Sequence, residues 1–415
     1  MNYTGARLYG HRRSSSRLSV HSSAEEGRRH RPDYGLLILM SLLLVVGAVV
    51  VYAIGPGLTN GKNLPENYYT SKQLISIVLG IIGFLVASSI PLRRWKYLQI
   101  GIIILAVLVA ILVRVAGEEV NGAHRWIQVA GLSFQAAELI KLALILWLAD
   151  FLTRRRLEQK IRSLNTLKIL GAVVGVVVFV VAGLQSDFGS AAVMMAIVAV
   201  MAFVAGLPLK RLAVISLAVL ILASIAIVST PYRRDRVATF LNPTADCQKE
   251  GYQACQALIT IGSGGIFGKG LGRSVQAYGY LPEPANDSIF AIVAEKFGFV
   301  GAIGVIGIFW LLFRRIAAVA RAASTDYGRL LVCGILVWLS VQMIINVGAM
   351  LGLLPLKGIT LPFVSYGGTS IIFVMIAMGI VFQVSRYGDL AISSNDEKIR
   401  RRPTLARGLG RGGAA

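Results

Sequence analysis

Residues 34 to 54 read YGLLILMSLLLVVGAVVVYAI without one charged side chain, and runs of the same kind recur along the chain as far as residue 384. Backbone N–H and C=O groups in such a run have no water to bond when it sits in lipid. They must bond one another, which a helix of about 20 residues does within itself. Ten runs approach that length: 34–54, 73–92, 98–115, 137–153, 167–185, 189–207, 211–230, 288–313, 329–350 and 368–384. The fourth is short and amphipathic, which sets it apart from the others. Composition agrees, since 55% of the 415 residues are hydrophobic against roughly 45–50% in a soluble globular chain. The expected fold class is an all-α polytopic membrane protein of about ten transmembrane helices, with a large extracytoplasmic loop, 231–287, between the seventh and eighth.

Lys and Arg collect on the cytoplasmic side of short loops. Alternate connections carry Arg93, Arg94 and Lys96, then Arg154, Arg155 and Arg156, then Lys210 and Arg211, then Arg314, Arg315 and Arg329. These connections and both termini are therefore expected inside, with 55–72, 116–136, 183–190, 231–287 and 351–367 outside. Residues 1–33 and 388–415 are polar, charged tails too poor in apolar side chains to build a core. No short apolar stretch with a small-residue cleavage site precedes the first run, which reads as an uncleaved signal anchor. The net charge of +22 is spread over loop ends and tails with no aromatic-interleaved stripe, so the expected partners are anionic membrane lipids and not nucleic acid.

Ionisable side chains near the bilayer interior are expensive unless paired or facing a cavity. Glu138 and Lys141 stand three residues apart in FQAAELIKLAL, on one helical face. They read either as a structural ion pair or as the wall of a polar cavity with His124, Arg125 and Trp126 at its rim. Arg125 suits a phosphate or a lipid headgroup. Asp187, between Gly183 and Gly189, reads as a helix cap or as a cavity group shared with Gln185. Asp287 follows Pro282 and Pro284, which stiffen the approach; it reads as a helix cap beside Asn286 and Ser288, or as a rigidly held reactive carboxylate.

The glycine-rich stretch 261–274, IGSGGIFGKGLGRS, is no phosphate-binding P-loop, because Ser263 stands where the first Gly belongs and Gly270 follows Lys269. It is either a turn or a flexible cradle in which Lys269 and Arg273 meet a diphosphate. Residues 346–370, with Pro355 and Pro362, read as re-entrant or partly unwound backbone, which survives at membrane depth only against protein or a water-filled cavity. Lys357 and Ser365 would line that pocket, or serve loop packing alone. Cys247 and Cys255 lie in the outside loop, where an oxidising exterior permits a disulfide, the alternative being two free thiols. No Cys/His cluster has ligand spacing, so no metal site is assigned.

The ordered set GAHRWIQ, FQAAELIK, QSDFGS, PYRRDRVATFLNP, GYQACQALITIGSGGIFGKGLGRSVQ, YLPEPANDSIFAIVAE and LPLKGITLPFVSYGGTS resembles the SEDS (shape, elongation, division and sporulation) family over roughly residues 34 to 387. GYQ, GRSVQ, YLPE and SYGGTS are more similar to its division-type than to its elongation-type members. The resemblance implies a peptidoglycan glycosyltransferase that polymerises lipid II at the outer face of the bacterial cytoplasmic membrane, at the division septum, while undecaprenyl diphosphate leaves. It matches Asp287 to the family's essential acid, Glu138 and Lys141 to its polar pair, and Arg125 and Asp187 to positions lining its central cavity. Lys269, Arg273 and Lys357, or a divalent cation (Mg or Mn) held partly by Asp287, would offset the charge of the departing diphosphate. Implied partners are lipid II, the undecaprenyl-linked glycan strand, a class B penicillin-binding transpeptidase and other divisome membrane proteins. Ala285 stands where the family usually has His, Lys296 follows Glu295 where it has a Glu pair, and QSDFGS and QAAE vary its motifs. The alternative is a transporter that flips lipid-linked precursors through the same polar interior; a purely structural scaffold is the third reading.

Overall fold

The computed structural model describes residues 32–59, 64–120, 123–129, 132–214, 217, 247–248, 251–273, 275–356 and 358–387, with 118–120, 123–125, 129 and 132 described in backbone only. Most of the seventh apolar run, most of 231–250, nearly all of both tails, the Arg125 side chain and Lys357 lie outside the described residues.

The described apolar runs are helical, and one further helix lies between the seventh and eighth runs. The helices are α1 (Tyr34–Thr59), α2 (Tyr68–Ser89), α3 (Leu92–Ala116), α4 (Ala136–Leu157), α5 (Leu164–Val177) and α6 (Phe188–Val204) in the first half. In the second half come α7 (Tyr252–Ser263), α8 (Ile289–Ala322), α9 (Asp326–Met350) and α10 (Gly368–Ser385). Among the described residues, seven helices are long and apolar enough to cross a membrane, with α5 counted together with the wider π-helical turns Val178–Leu184 that extend it. Large apolar side chains such as Leu108, Leu112 and Val115 on α3 stay exposed, as suits a face turned to lipid.

The amphipathic fourth run is not peripheral. α4 packs against α3, α6, α9 and α10 and buries nearly all of its length, Glu138 and Lys141 included. Its polar residues weaken the hydropathy signal because they pair inside the bundle.

Three departures from the sequence reading concern the connections. The fold is not purely helical: between α3 and α4 runs a three-stranded antiparallel meander, β1 (Glu118–Val120), β2 (Ala123–Val129) and β3 (Leu132–Gln135), with β2 in the middle. The long connection 231–287 is not all loop, since α7 lies in it. Finally, α8 is broken at Gly298, whose φ of 68° no helix contains.

The glycine-rich stretch fills that break. Lys269 and Gly270 N–H groups donate to the carbonyls of Glu295 and Lys296, while Phe299 and Val300 N–H groups donate to Gly265 and Ile266. A break in a membrane helix leaves carbonyls before it and N–H groups after it without partners, each costly in lipid, and this segment bonds two of each. The approach requires glycine on both sides, because a Cβ on Gly298 would sit 2.3 Å from the Gly268 nitrogen and one on Gly268 would sit 2.2 Å from the Lys296 oxygen. The stretch is thus more than a plain turn: two of its N–H groups and two of its carbonyls are bonded to α8.

Residues 351–367 turn back into the bundle. Ile359 to Ser365 are buried, and a Cβ on Gly47, mid-way along α1, would meet the Val364 carbonyl at 2.5 Å. At the opposite end of the bundle the basic residues gather, with Arg156 bonded to Asp326, Arg315 to Asp33 and Lys96 over the Tyr327 ring.

Candidate active site

The meander, the start of α6, residues 281–288 and the re-entrant segment meet at one end of the bundle. The π-helical turns after α5 deliver Asp187 there, with its N–H bonded back to the Val181 carbonyl. Asp187 is buried and caps α6, Oδ1 accepting from the Ser190 N–H at 2.9 Å, while Oδ2 lies 3.4 Å from Gln135 Nε2. Capping and interior roles are therefore combined in one side chain. The Gln135 N–H donates to Thr369 Oγ1, whose hydroxyl donates to the Ser133 carbonyl, and so β3 is fastened to the start of α10.

Next to it lies the buried ion pair. Lys141 Nζ donates to Glu138 Oε1 at 2.7 Å and to Gln342 Oε1 at 2.8 Å, and stands 5.2 Å from the Trp338 ring centre. Trp338 Nε1 donates to the same Gln342 oxygen, and Gln342 Nε2 donates to the Thr360 carbonyl. One turn further along α9, Asn346 Nδ2 donates to the carbonyls of Ile359 and Asp287, both at 2.7 Å. Two amides on one face of α9 thereby connect the Glu138–Lys141 pair to the segment carrying Asp287.

That segment is held by its backbone. Besides Asn346, the Ser365 hydroxyl donates to the Asn286 carbonyl and accepts from the Leu361 N–H, and the Tyr366 N–H donates to the Ala285 carbonyl. Ser288 Oγ donates to the Pro282 carbonyl at 2.9 Å. Glu283 has φ 48° and Phe363 φ 65°, positions that cost a non-glycine residue about 1–3 kcal/mol and persist because both segments are pinned on several sides. Ser365 is buried with both hydrogen-bonding functions used, which makes it a fastening of this segment and not a pocket wall.

Asp287 itself does not cap α8. The helix starts at Ile289 with Ser288 at the cap position and no side-chain cap bond. The carboxylate is half-buried; Oδ2 lies 3.5 Å from Gln253 Nε2, and Oδ1 is covered yet has no hydrogen-bond partner among the described residues. Burial and then the nearby Glu283 carboxylate push its pKa up to about 7, opposed by Gln253 and the backbone N–H groups of Asp287 and Ser288.

The cations are more dispersed. Lys269 lies 3.6 Å from the buried Glu295, which also accepts from the Val275 and Gln276 N–H groups. Lys296 donates to the Leu271 carbonyl. Arg273 is exposed, and Arg125 lies on β2 between His124 and Trp126. Cys247 and Cys255 are joined by a disulfide with Cα atoms 5.6 Å apart. Among the described residues no group of three or more His, Cys, Asp or Glu could hold a metal ion.

A family model described as "Cell cycle protein", covering FtsW, RodA and SpoVE, matches residues 34–389. The chain belongs to this family. Its relatives include a "Probable peptidoglycan glycosyltransferase FtsW" of Saccharophagus degradans, 36% identical over 86% of this chain and 92% of that protein. The same name is carried by a Coxiella burnetii protein, 37% identical over 85% and 96%. "Stage V sporulation protein E" of Bacillus subtilis is 34% identical over 87% and 98%. Among solved structures, a chain from a peptidoglycan synthase complex coordinating polymerization and crosslinking matches with TM-score 0.71 and 31% identity over 86% of this chain and 98% of that one. The rod shape determining protein RodA of Thermus thermophilus matches with TM-score 0.63 and 29% identity, over 86% and 98%. The SEDS resemblance read from the motifs is thus borne out, as is the helical membrane fold.

Sequence reasoning missed the residues that assemble this family member's site: Gln135, Gln253, Gln342, Asn346, Thr360 and Thr369. For Gln342 and Asn346 a signal existed, two amides one turn apart inside the apolar stretch WLSVQMIINVG. Gln253 sits in a polar loop, where an amide carries no such signal.

Proposed function

We propose that the protein is a peptidoglycan glycosyltransferase that polymerises lipid II into glycan strands during cell division, with Asp287 as general base. The observation that carries this reading is the state of that carboxylate: fixed on a rigid segment, tethered through one oxygen and, among the described residues, unpartnered at the other. A buried acceptor with no donor is costly, and an incoming hydroxyl is the donor that would satisfy it. Asp287 takes the proton of the acceptor sugar's 4-hydroxyl as that oxygen attacks the anomeric carbon of the donor. The bond from that carbon to the diphosphate breaks with inversion, and undecaprenyl diphosphate departs. Positioned base catalysis of this kind contributes about 10²–10⁴-fold.

Positive charge at the leaving group comes from the site's cations, with Arg125, Arg273 and Lys357 the nearest in sequence to the site's segments; Lys269 is engaged by Glu295. Mg²⁺ or Mn²⁺ would fit only as an ion bound mainly by the substrate's phosphates, with the unpartnered Asp287 oxygen and Glu283 as the protein's share. Such an ion, when bound, neutralises the departing diphosphate. The relatives' names and the synthase-complex likeness support the activity and a class B penicillin-binding transpeptidase as partner. The basic end of the bundle, opposite Asp287, supports cytoplasmic termini and an extracytoplasmic site, and the family's description as cell cycle proteins supports a place at the division septum.

The test is reconstitution of the purified protein with its transpeptidase in liposomes carrying lipid II. Glycan polymer on the protein's outer side is the expected product. Relocation of lipid II between leaflets without polymer would replace this reading with a flippase.

A further inference from the structure

We infer that Gln253 is a positioning residue for the Asp287 carboxylate, held in place by the Cys247–Cys255 disulfide at the start of α7. The inference rests on the reading of Asp287 as base. Gln253 Nε2 stands 3.3 Å from Ser288 Oγ and 3.5 Å from Asp287 Oδ2. The Ser288 hydroxyl hydrogen is committed to the Pro282 carbonyl, so Ser288 can only accept from Gln253. The amide must therefore turn its NH₂ group, not its carbonyl, toward this corner. One hydrogen goes to Ser288 and the second faces Asp287 Oδ2. The carboxylate plane is thereby set, and Oδ1 is left for substrate.

α7 begins without a capping side chain. Gln253 is the second residue of the helix, the cap position is Gly251, and no side-chain cap bond closes the first turn. An uncapped first turn frays readily. Here the buried Cys255 in that same turn is bonded to Cys247, eight residues earlier. The covalent link does for this turn what a cap does elsewhere, and Gln253 is the side chain whose place depends on it. Around Asp287 the facing groups are the Glu283 carboxylate from its own segment and the amides Gln253 from α7 and Asn346 from α9.

The experiment compares rates of polymerisation from lipid II by full-length wild type, Gln253→Leu, Gln253→Glu, Gln253→Lys, Cys247→Ser/Cys255→Ser, the triple variant Gln253→Leu/Cys247→Ser/Cys255→Ser and Asp287→Asn across pH. Gln253→Leu should lower kcat about 10–100-fold, the worth of a hydrogen bond to a charged group. KM should change little, and the acid limb of the pH profile should move to higher pH. Gln253→Glu keeps the shape and should move the limb further, while Gln253→Lys restores a donor and most of the rate. The double serine variant should act in the same direction and add nothing to Gln253→Leu. An unmoved acid limb in both Gln253→Leu and Gln253→Glu, or a disulfide effect fully additive with Gln253→Leu, would overturn the inference while leaving the base intact. Wild-type rates from Asp287→Asn would instead remove the base, and the positioning role with it.

Discussion

Two carboxylates, Asp287 and Glu138, sit in this protein's interior on opposite terms. Glu138 has a cation 2.7 Å away, and that cation is shared with Gln342. Removing one partner of a buried pair leaves an uncompensated charge, at a cost of about 3–5 kcal/mol. Lys141→Met should therefore lower the thermal unfolding midpoint markedly, and Glu138→Gln/Lys141→Met should recover part of the loss; equal midpoints for single and double variants would deny the pair its structural role. Asp287 has no ion-pair partner among the described residues, and burial and Glu283 push its pKa up to about 7. A base must be ionised, so the rate of polymerisation should rise with pH through about 7. Stability runs the other way. A carboxyl whose folded pKa is raised contributes stability below its unfolded pKa and loses it as pH climbs through the folded value. Asp287→Asn should thus gain on wild type between pH 5 and pH 8, by of order 1–3 kcal/mol, as read from unfolding midpoints.

At the scale of elements, the apolar runs were legible because a membrane imposes one length and one polarity on a helix. The starts of α1 and α10 fall on the expected residues, 34 and 368, and those of α4, α6 and α8 within one residue of 137, 189 and 288. What could not be read was structure made by contact between distant segments. The break in α8 exists because Gly298 and the 265–270 backbone complete each other, and no local pattern in AIVAEKFGFVGAIG announces it. The meander is too short, with strands of 3, 7 and 4 residues, to outweigh the polar look of its loop. In the site the charged residues were legible because charge is rare in these helices, whereas the fastening amides and hydroxyls looked like any other polar loop or helix residues. Gly298→Ala tests the break directly. With φ at 68° and a Cβ 2.3 Å from the Gly268 nitrogen, it should detach the 264–270 segment. Faster proteolysis within that segment and a lower unfolding midpoint are expected, and unchanged cleavage would refute the docking.

Across the whole molecule, α9 is the element that makes one site from two clusters. Its Gln342 bonds the Glu138–Lys141 pair and Thr360, and its Asn346 bonds Ile359 and Asp287. Asn346→Leu keeps the size while removing both donors, so it should cost polymerisation about 10–100-fold without changing membrane insertion; an unaffected rate would show that the Asp287 segment does not need α9. The family membership, the buried polar network along α9 and the fixed segment 281–288 all converge on one side chain. The most direct measurement is glycan strand length on gels from purified lipid II, for wild type, Asp287→Asn and Asp287→Glu with the partner transpeptidase present. No polymer from the asparagine variant, which folds and retains lipid II, with partial polymer from the glutamate variant, is the predicted result. Strands of normal length from Asp287→Asn would contradict the account.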